Sequence, residues 1–425
     1  MCEKRVAPEM TATGSTADLA RDMSPETSEF RSQLLSDAQD FSLVLGGPLY
    51  QLLCRTRLSN DALMMVRRRV IVISLLAWLP LFVLAALEGH LIGTSVEVPF
   101  LPDLETHIRF IVVVPLLLLA ELVVHQRLRP VARAFLERNL IPRDAMQDFD
   151  AALKSAFRLR NSVVAEILLL ASVYVFGVLI VWNRHTALDI PSWYLPQSAE
   201  GSKLSLAGTW YVCVSLPIFQ FLLVRWYFRL FIWARFLWQV SRIKVILVPT
   251  HPDHVGGLGF LSNTVYAFVV LLVAHGAMVA AQIADRIFFL GAALREFWME
   301  VAAMVIFLLV VVFGPLLLFS PQLSRTKRRG LLEYGAFAEG YVRQFDIKWL
   351  RGARPEGESL LGSGDIQSLA DLANSFAVVR SMRVTPVSKE AALQLTAAVL
   401  LPVAPLLLTT MPLEELLRKL LGLVF

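Results

Sequence analysis

The sequence predicts an all-α integral membrane protein with six to seven transmembrane helices and additional amphipathic helices at the cytoplasmic and interfacial surface. The chain of 425 residues is 56% hydrophobic and only 18% charged, with a mean hydropathy of +0.60, too apolar for a water-soluble chain of that length. Its apolar residues gather into runs of about twenty, the number a helix needs to cross the hydrocarbon core. Backbone groups have no water to bond within lipid, so these runs must be helices. Lys and Arg then alternate from loop to loop. Segments 51–69, 125–161, 225–262 and 321–390 carry five, eight, five and eleven, whereas 89–107, 183–207 and 285–298 carry none, two and two. That alternation follows the positive-inside rule and places the N-terminus in the cytoplasm.

Residues 1–40 form the first unit, a cytoplasmic tail whose Ser, Thr, Pro, Glu and Asp predict disorder. No cleavable leader is expected from its composition. Residues 41–68 read as an interfacial helical segment, interrupted at Gly46-Gly47-Pro48. A six-span domain follows over 69–320, with spans near 70–88, 108–124, 162–182, 206–224, 264–284 and 300–320. Trp193, Tyr194, Trp210 and Tyr211 fall near outer boundaries, where amphipathic rings anchor in headgroups. Within 321–390, "EYGAFAEGYVRQFDIKWL" and "GDIQSLADLANSFAVVR" repeat apolar residues every three or four positions. They predict two cytoplasmic amphipathic helices, packed on each other or on the bilayer. Residues 391–425 hold a seventh or re-entrant span, broken by Pro402 and Pro405, and a C-terminal amphipathic helix.

The candidate functional residues fall into three groups. The first is "THPDHVGGLGF", between spans four and five, with His251, Asp253, His254, Gly256, Gly257 and Gly259. Two imidazoles and a carboxylate have the donor atoms of a metal site. The glycines could instead offer backbone N–H groups to an anion at a helix start. The third reading is a rigid turn: Pro252 sets it, Asp253 caps it and the glycines permit close packing. The second group is an intramembrane polar path of His275, Glu121, His125 and Glu166, since ionisable groups are costly inside a bilayer and mark functional positions. The third is the pair Arg225 and Arg229, one turn apart on one helix face, expected to contact lipid headgroups or another anion. Next to a membrane span, such an Arg-and-aromatic stretch points to lipid and not to nucleic acid. The three cysteines lie far apart, no nucleophile elbow or HExxH pair occurs, and no cofactor is expected.

The stretches "LPIFQFLLVRWYFRLFIWARFLWQVSRI", "PTHPDHVGGLGFL" and "IQSLADLANSFAVVRSMR" together resemble an uncharacterised family of bacterial multi-pass inner-membrane proteins. The resemblance covers most of the chain after about residue 40 and implies a bacterial inner-membrane location, with no activity attached.

Ionisable residues without catalytic partners favour a homo-oligomeric channel or transporter for a small ion or solute. The alternatives are a signalling or scaffold protein that binds a cytoplasmic partner, and a membrane enzyme acting on lipid or phosphorylated headgroups. The orientation has a direct test. Single cysteines at positions 201 and 296 are expected to react with an impermeant thiol reagent from outside, whereas cysteines at 257 and 352 stay protected. Labelling of position 257 from outside would reverse the assignment.

Overall fold

In a computed structural model the chain is predominantly helical, and among the described residues five helices are long and apolar enough to cross a membrane. The structure describes residues 25–39, 41–47, 66–93, 96–185, 191–198, 201–202, 204–352, 359 and 362–409. Helices α1 (Pro25–Gln39), α2 (Val66–Leu87), α3 (Leu104–Glu137), α4 (Met146–Arg160) and α5 (Val163–His185) form the first half. A two-residue ladder, β1 (Gln197–Ser198) against β2 (Gly201–Ser202), interrupts the connection to α6 (Leu206–Arg242). Then come α7 (Gly259–Leu290), α8 (Leu294–Leu317), α9 (Ser320–Phe345), α10 (Gly364–Ser381) and α11 (Lys389–Leu400). The five candidate spans are α2, α3, α6, α7 and α8; the apolar stretch described in α5, Val163–Val175, is shorter.

Helices α3 and α6 contain 34 and 37 residues, roughly 51 and 56 Å at 1.5 Å per residue, against about 30 Å of hydrocarbon. Both run past the apolar bundle into a helical layer at one end, the base, where α1, α4, α9 and α10 lie. Each also widens into a π turn at the opposite end, the rim, at Ile108–Val113 and Tyr211–Ser215. The cause is the proline that follows each turn, Pro115 or Pro217. A proline has no N–H for the carbonyl four residues back and crowds it, and a wider turn accommodates both.

Aromatic rings fill the base. Phe41 lies 4.9 Å from Phe236, and Phe135 lies 5.0 Å from Phe260. The tail expected to be disordered therefore contributes structure from residue 25 onward: Leu34 and Ala38 of α1 are buried, and Arg31 donates to Leu136 O and Asn139 Oδ1 at the end of α3. Apolar residues one turn apart outweigh the polar composition of that stretch. Residues 41–47, expected within an interfacial helix, form a tight loop in which Gly46 and Gly47 adopt φ of +131° and +88°. Residues 1–24 and 48–65, and the C-terminal amphipathic helix expected after 410, lie outside the described residues.

At the rim, the loop before α6 folds back onto the bundle. Trp193 is 0% exposed and donates its indole N–H to Asp103 Oδ2 at 2.7 Å. It is therefore a core residue, contrary to the headgroup anchor its position implied. The bonded partner removes the need for the ring to reach the interface.

The amphipathic helices pack on each other as α9 and α10. Tyr341 donates to Asp365 O, and Lys348 and Trp349 both reach the Asp365 carboxylate. Ser363 caps α10 by accepting from Asp365 N. The proline-broken segment runs beside α7 from base to rim. Ser262 donates to Pro386 O near its start, and Leu406, in a final 3-10 turn (Ala404–Thr409), packs with Ile283 and Phe297 near the far end of α7. It is a kinked traverse of the bundle.

Close approach of α11 to α7 depends on Gly276, where an added Cβ would lie 2.1 Å from Val399 O. Backbone cannot move aside as a side chain can. Gly276→Ala is expected to cost about 1–3 kcal/mol of stability, read as a lower thermal midpoint in detergent. Gly314→Ala, whose Cβ would meet nothing within 4 Å, is the control that should not fall.

Candidate functional site

Four helices bring five charged side chains together where the bundle meets the base. Arg69 lies on the first turn of α2, Glu121 midway along α3, Glu166 on the first turn of α5, and Arg225 and Arg229 one turn apart on α6. Arg69 Nη2 is 2.6 Å from Glu121 Oε2, Arg229 Nη1 is 2.7 Å from Glu121 Oε1, and Arg225 Nη1 is 3.7 Å from the same oxygen. Arg225 Nη2 also reaches Glu166 Oε1 at 3.3 Å. Every one of these side chains is at least 87% shielded from solvent.

Three guanidinium groups face two carboxylates, so this cluster carries one positive charge in excess, 3 − 2 = +1. Arg69 Nε has no hydrogen-bond partner among the described residues. Its Nη2, although close to Glu121, is not aligned on it as a hydrogen bond. Arg229 also lies over the Trp226 ring at 4.9 Å. Trp226 donates its indole N–H to Leu117 O, which fixes α6 against α3 one turn from Glu121. The loop 41–47 closes the cluster from the base: Gly47 donates to Asn161 Oδ1, and a Cβ on Gly47 would lie 2.9 Å from Glu166 Oε1.

Arg225 and Arg229 thus do not reach out to headgroups. They are 6% and 4% exposed, because carboxylates on neighbouring helices supply the counter-charge that snorkelling would otherwise seek in the interface. Of the expected polar path, Glu121 and Glu166 belong to this cluster and the two histidines do not. His275 lies with Nε2 2.7 Å from Tyr227 Oη and Nδ1 2.8 Å from Leu271 O. One proton placement, Nδ1–H donating and Nε2 accepting, satisfies both contacts. His125 Nδ1 is 2.9 Å from Ser42 Oγ, in the loop that covers the base.

The glycine-rich stretch is a turn built around one carboxylate. Asp253 Oδ1 accepts from Val255 N at 2.8 Å and Gly257 N at 3.1 Å, and Oδ2 accepts from Gly259 N at 2.7 Å. These are the N–H groups that an external anion would need. Their ligand comes from the chain itself, which disfavours the anion reading. Gly256 and Gly257 have φ of +67° and +100°, and His254 also lies in the left-handed region at +55°. His251 Nδ1 stands beside Asp253, 2.9 Å from Oδ1 and 3.2 Å from the backbone N. His254 turns the other way, to Ser381 Oγ at 2.9 Å. Among the described residues no group of three His, Cys, Asp or Glu side chains could hold a metal ion.

The turn joins parts of the structure distant in sequence. His254 O accepts from Arg383 N at 2.7 Å, and a Cβ on Gly256 would lie 3.2 Å from Met382 Cε. The preceding "IKVILVP" is extended but joins no sheet. Its alternation is nonetheless realised, with Ile243 and Val245 buried and Ile246 and Val248 exposed.

Two features escaped the sequence reading. Arg69 ends the run Arg67-Arg68-Arg69 and reads as a topology signal; only its phase on α2 separates it from its neighbours, which are exposed. At the rim, Asp285 accepts from Leu104 N and Glu105 N at the start of α3, while Asp103 accepts from Thr106 N. Two carboxylates there share one helix N-terminus. No protein-family model, curated protein or solved structure matches this chain.

Burial pushes the Asp253 carboxyl upward, but the bonds from Val255, Gly259 and Gly257 outweigh it and hold it below the ordinary aspartate range. A carboxyl depressed in the folded state adds stability that is complete at neutral pH and is lost as pH falls below about 4. Asp253→Asn is therefore expected to cost about 1–2 kcal/mol at pH 7. Thermal melts across pH should show the gap from the parent protein closing in acid, and a gap independent of pH would contradict this assignment.

Proposed function

We propose that the protein is a transport protein or channel of the bacterial inner membrane, with its base in the cytoplasm, and that the Arg69–Glu121–Arg225–Arg229–Glu166 cluster binds a small anion in transit. The observation that carries this reading is the excess of one positive charge, among the described residues, in a cluster buried between candidate spans. Unpaired charge in such surroundings is costly. A monovalent anion beside Arg69 Nε would neutralise the site and give that N–H a partner. The described conformation is then the occluded one, covered by residues 41–47. Assembly of several copies belongs to the same proposal, and a mass measurement in detergent that returned single chains would remove that part.

A second reading, a scaffold for a soluble partner, draws on the α9–α10 pair. Leu332 and Phe337 of α9 are 71% and 65% exposed, and Leu350, in the turn that follows α9, is 71% exposed. It would be favoured by a stoichiometric soluble protein that co-purifies and is lost on Phe337→Glu.

Anion flux into proteoliposomes discriminates. The parent protein is expected to carry a monovalent anion such as chloride or nitrate at a rate well above protein-free vesicles. Arg69→Gln, which brings the cluster to neutrality, should reduce that flux at least ~10-fold, equivalent to ~1.4 kcal/mol; Glu121 keeps Arg225 and Arg229 as partners, so the variant is expected to stay monodisperse with a lowered thermal midpoint. His275→Ala should conduct. Absent flux in the parent, or unchanged flux in Arg69→Gln, would refute the transport reading.

A further inference from the structure

We propose that a cleft between α6, α8 and α9 is a binding site for one anionic phospholipid of the leaflet on the base side, headgroup in the cleft and acyl chain in an adjoining apolar groove. The cleft is a cavity of about 1120 Å³, larger than common small-ligand pockets of ~300–1,000 Å³. Its lining carries Arg242, Lys244, Arg325 and Arg329 against Asp144 and Glu333, a balance of 4 − 2 = +2. Arg329 is engaged by Glu333 at 2.6 Å. Arg242, Lys244 and Arg325 form no ion pair among the described residues. The favourable charge is therefore free for an incoming phosphate.

The shape of the cleft follows from one glutamine. Gln322 donates to Ser241 O at 2.6 Å and Ile243 O at 2.8 Å, and accepts from Val245 N at 3.3 Å. These bonds end α6 against the start of α9 and set the extended segment 243–249 as a wall. Pro249 closes that wall on Gly330, where a Cβ would lie 2.6 Å from Pro249 Cβ.

What distinguishes a lipid from a soluble phosphate is the continuation of the cavity. Leu318 lines both the cleft and a second cavity of about 420 Å³ between α6 and α8. The second cavity is bordered by Leu230, Phe231, Val310, Gly314 and Pro315, with Tyr227 as its polar exception. Phe231 and Val310 on its border are 54% and 63% exposed on the surfaces of candidate spans. Trp238 lines the cleft, with Arg242 over its ring at 5.4 Å. A basic cleft at the end of the spans that opens into an apolar groove along them matches an amphiphile with a phosphate-bearing head. This is independent of the charge cluster and of the transport reading.

Native mass spectrometry of the full chain, released from detergent containing phosphatidylglycerol and phosphatidylcholine in equal amounts, tests the proposal. The parent protein is expected to retain one phosphatidylglycerol per chain in preference to phosphatidylcholine. The triple variant Arg242→Gln, Lys244→Gln, Arg325→Gln changes only exposed side chains and should lose at least ~10-fold of that preference. Gly314→Leu, entering open space, should fill the groove and weaken retention while leaving the fold intact. Equal retention of the two lipids by the parent, or an unchanged preference in the triple variant, would overturn the proposal. So would displacement of the lipid by millimolar glycerol phosphate, since that would make the cleft a site for soluble phosphate.

Discussion

Glu121, a carboxylate enclosed by three guanidinium groups, sets the terms on which α2, α3, α5 and α6 can meet. Removing one member of a buried ion pair leaves the other uncompensated, at a cost of about 3–5 kcal/mol. Here that dependence is shared: Glu121 holds α2 through Arg69 and α6 through Arg229, and Arg225 extends the link to α5 through Glu166. The apolar faces of these helices are interchangeable in character and do little to select a register. Charge is selective, because a helix displaced by one turn would strand an arginine against leucine. The cluster therefore specifies which helices are neighbours and at what height, and the surrounding aromatic packing adds strength to a choice already made.

A second polar constraint operates where the bundle of candidate spans meets the α9–α10 pair. The Asp253 turn is stiff because its free N–H groups are bound internally. Through His254 it holds the end of α10, and it also determines where α7 begins. Neither α9 nor α10 has a broad buried face; Leu323, Gly330 and Val379 are their only fully buried positions. Their placement thus comes from short contacts at the junction, and a disturbance at the turn reaches both halves of the structure.

Much of the architecture was legible in the sequence because it follows from local rules. Apolar run length and three-to-four spacing located the long helices, and Ser363 announced the start of α10. Asp253 and the two glycines after it predicted a capped turn from residue type alone. The charge cluster was only half legible. Glu121, Glu166, Arg225 and Arg229 were each visible as unusual, but their grouping depends on how α2, α3, α5 and α6 rotate about their axes. No local pattern encodes that rotation. Arg69 was hidden by Arg67 and Arg68 for the same reason, and Trp193 because a ring near a span end has the same sequence signature whether it faces lipid or core. Helix α1 shows the opposite failure: a polar average obscured Leu34 and Ala38, which suffice to dock one face.

The order of the charged residues along the chain bears on biosynthesis. Arg69 and Glu121 lie on consecutive candidate spans, so α2 and α3 can pair as a hairpin whose buried charges already cancel. Glu166 follows on α5. Arg225 and Arg229 emerge last, on α6, when both acidic partners have been synthesised. Both carboxylates thus precede Arg225 and Arg229 along the chain, and the one positive charge in excess arrives with α6. A chain interrupted before α6 would lack the link from Glu166 to Arg225, an intermediate in which α5 is not yet tied to α6.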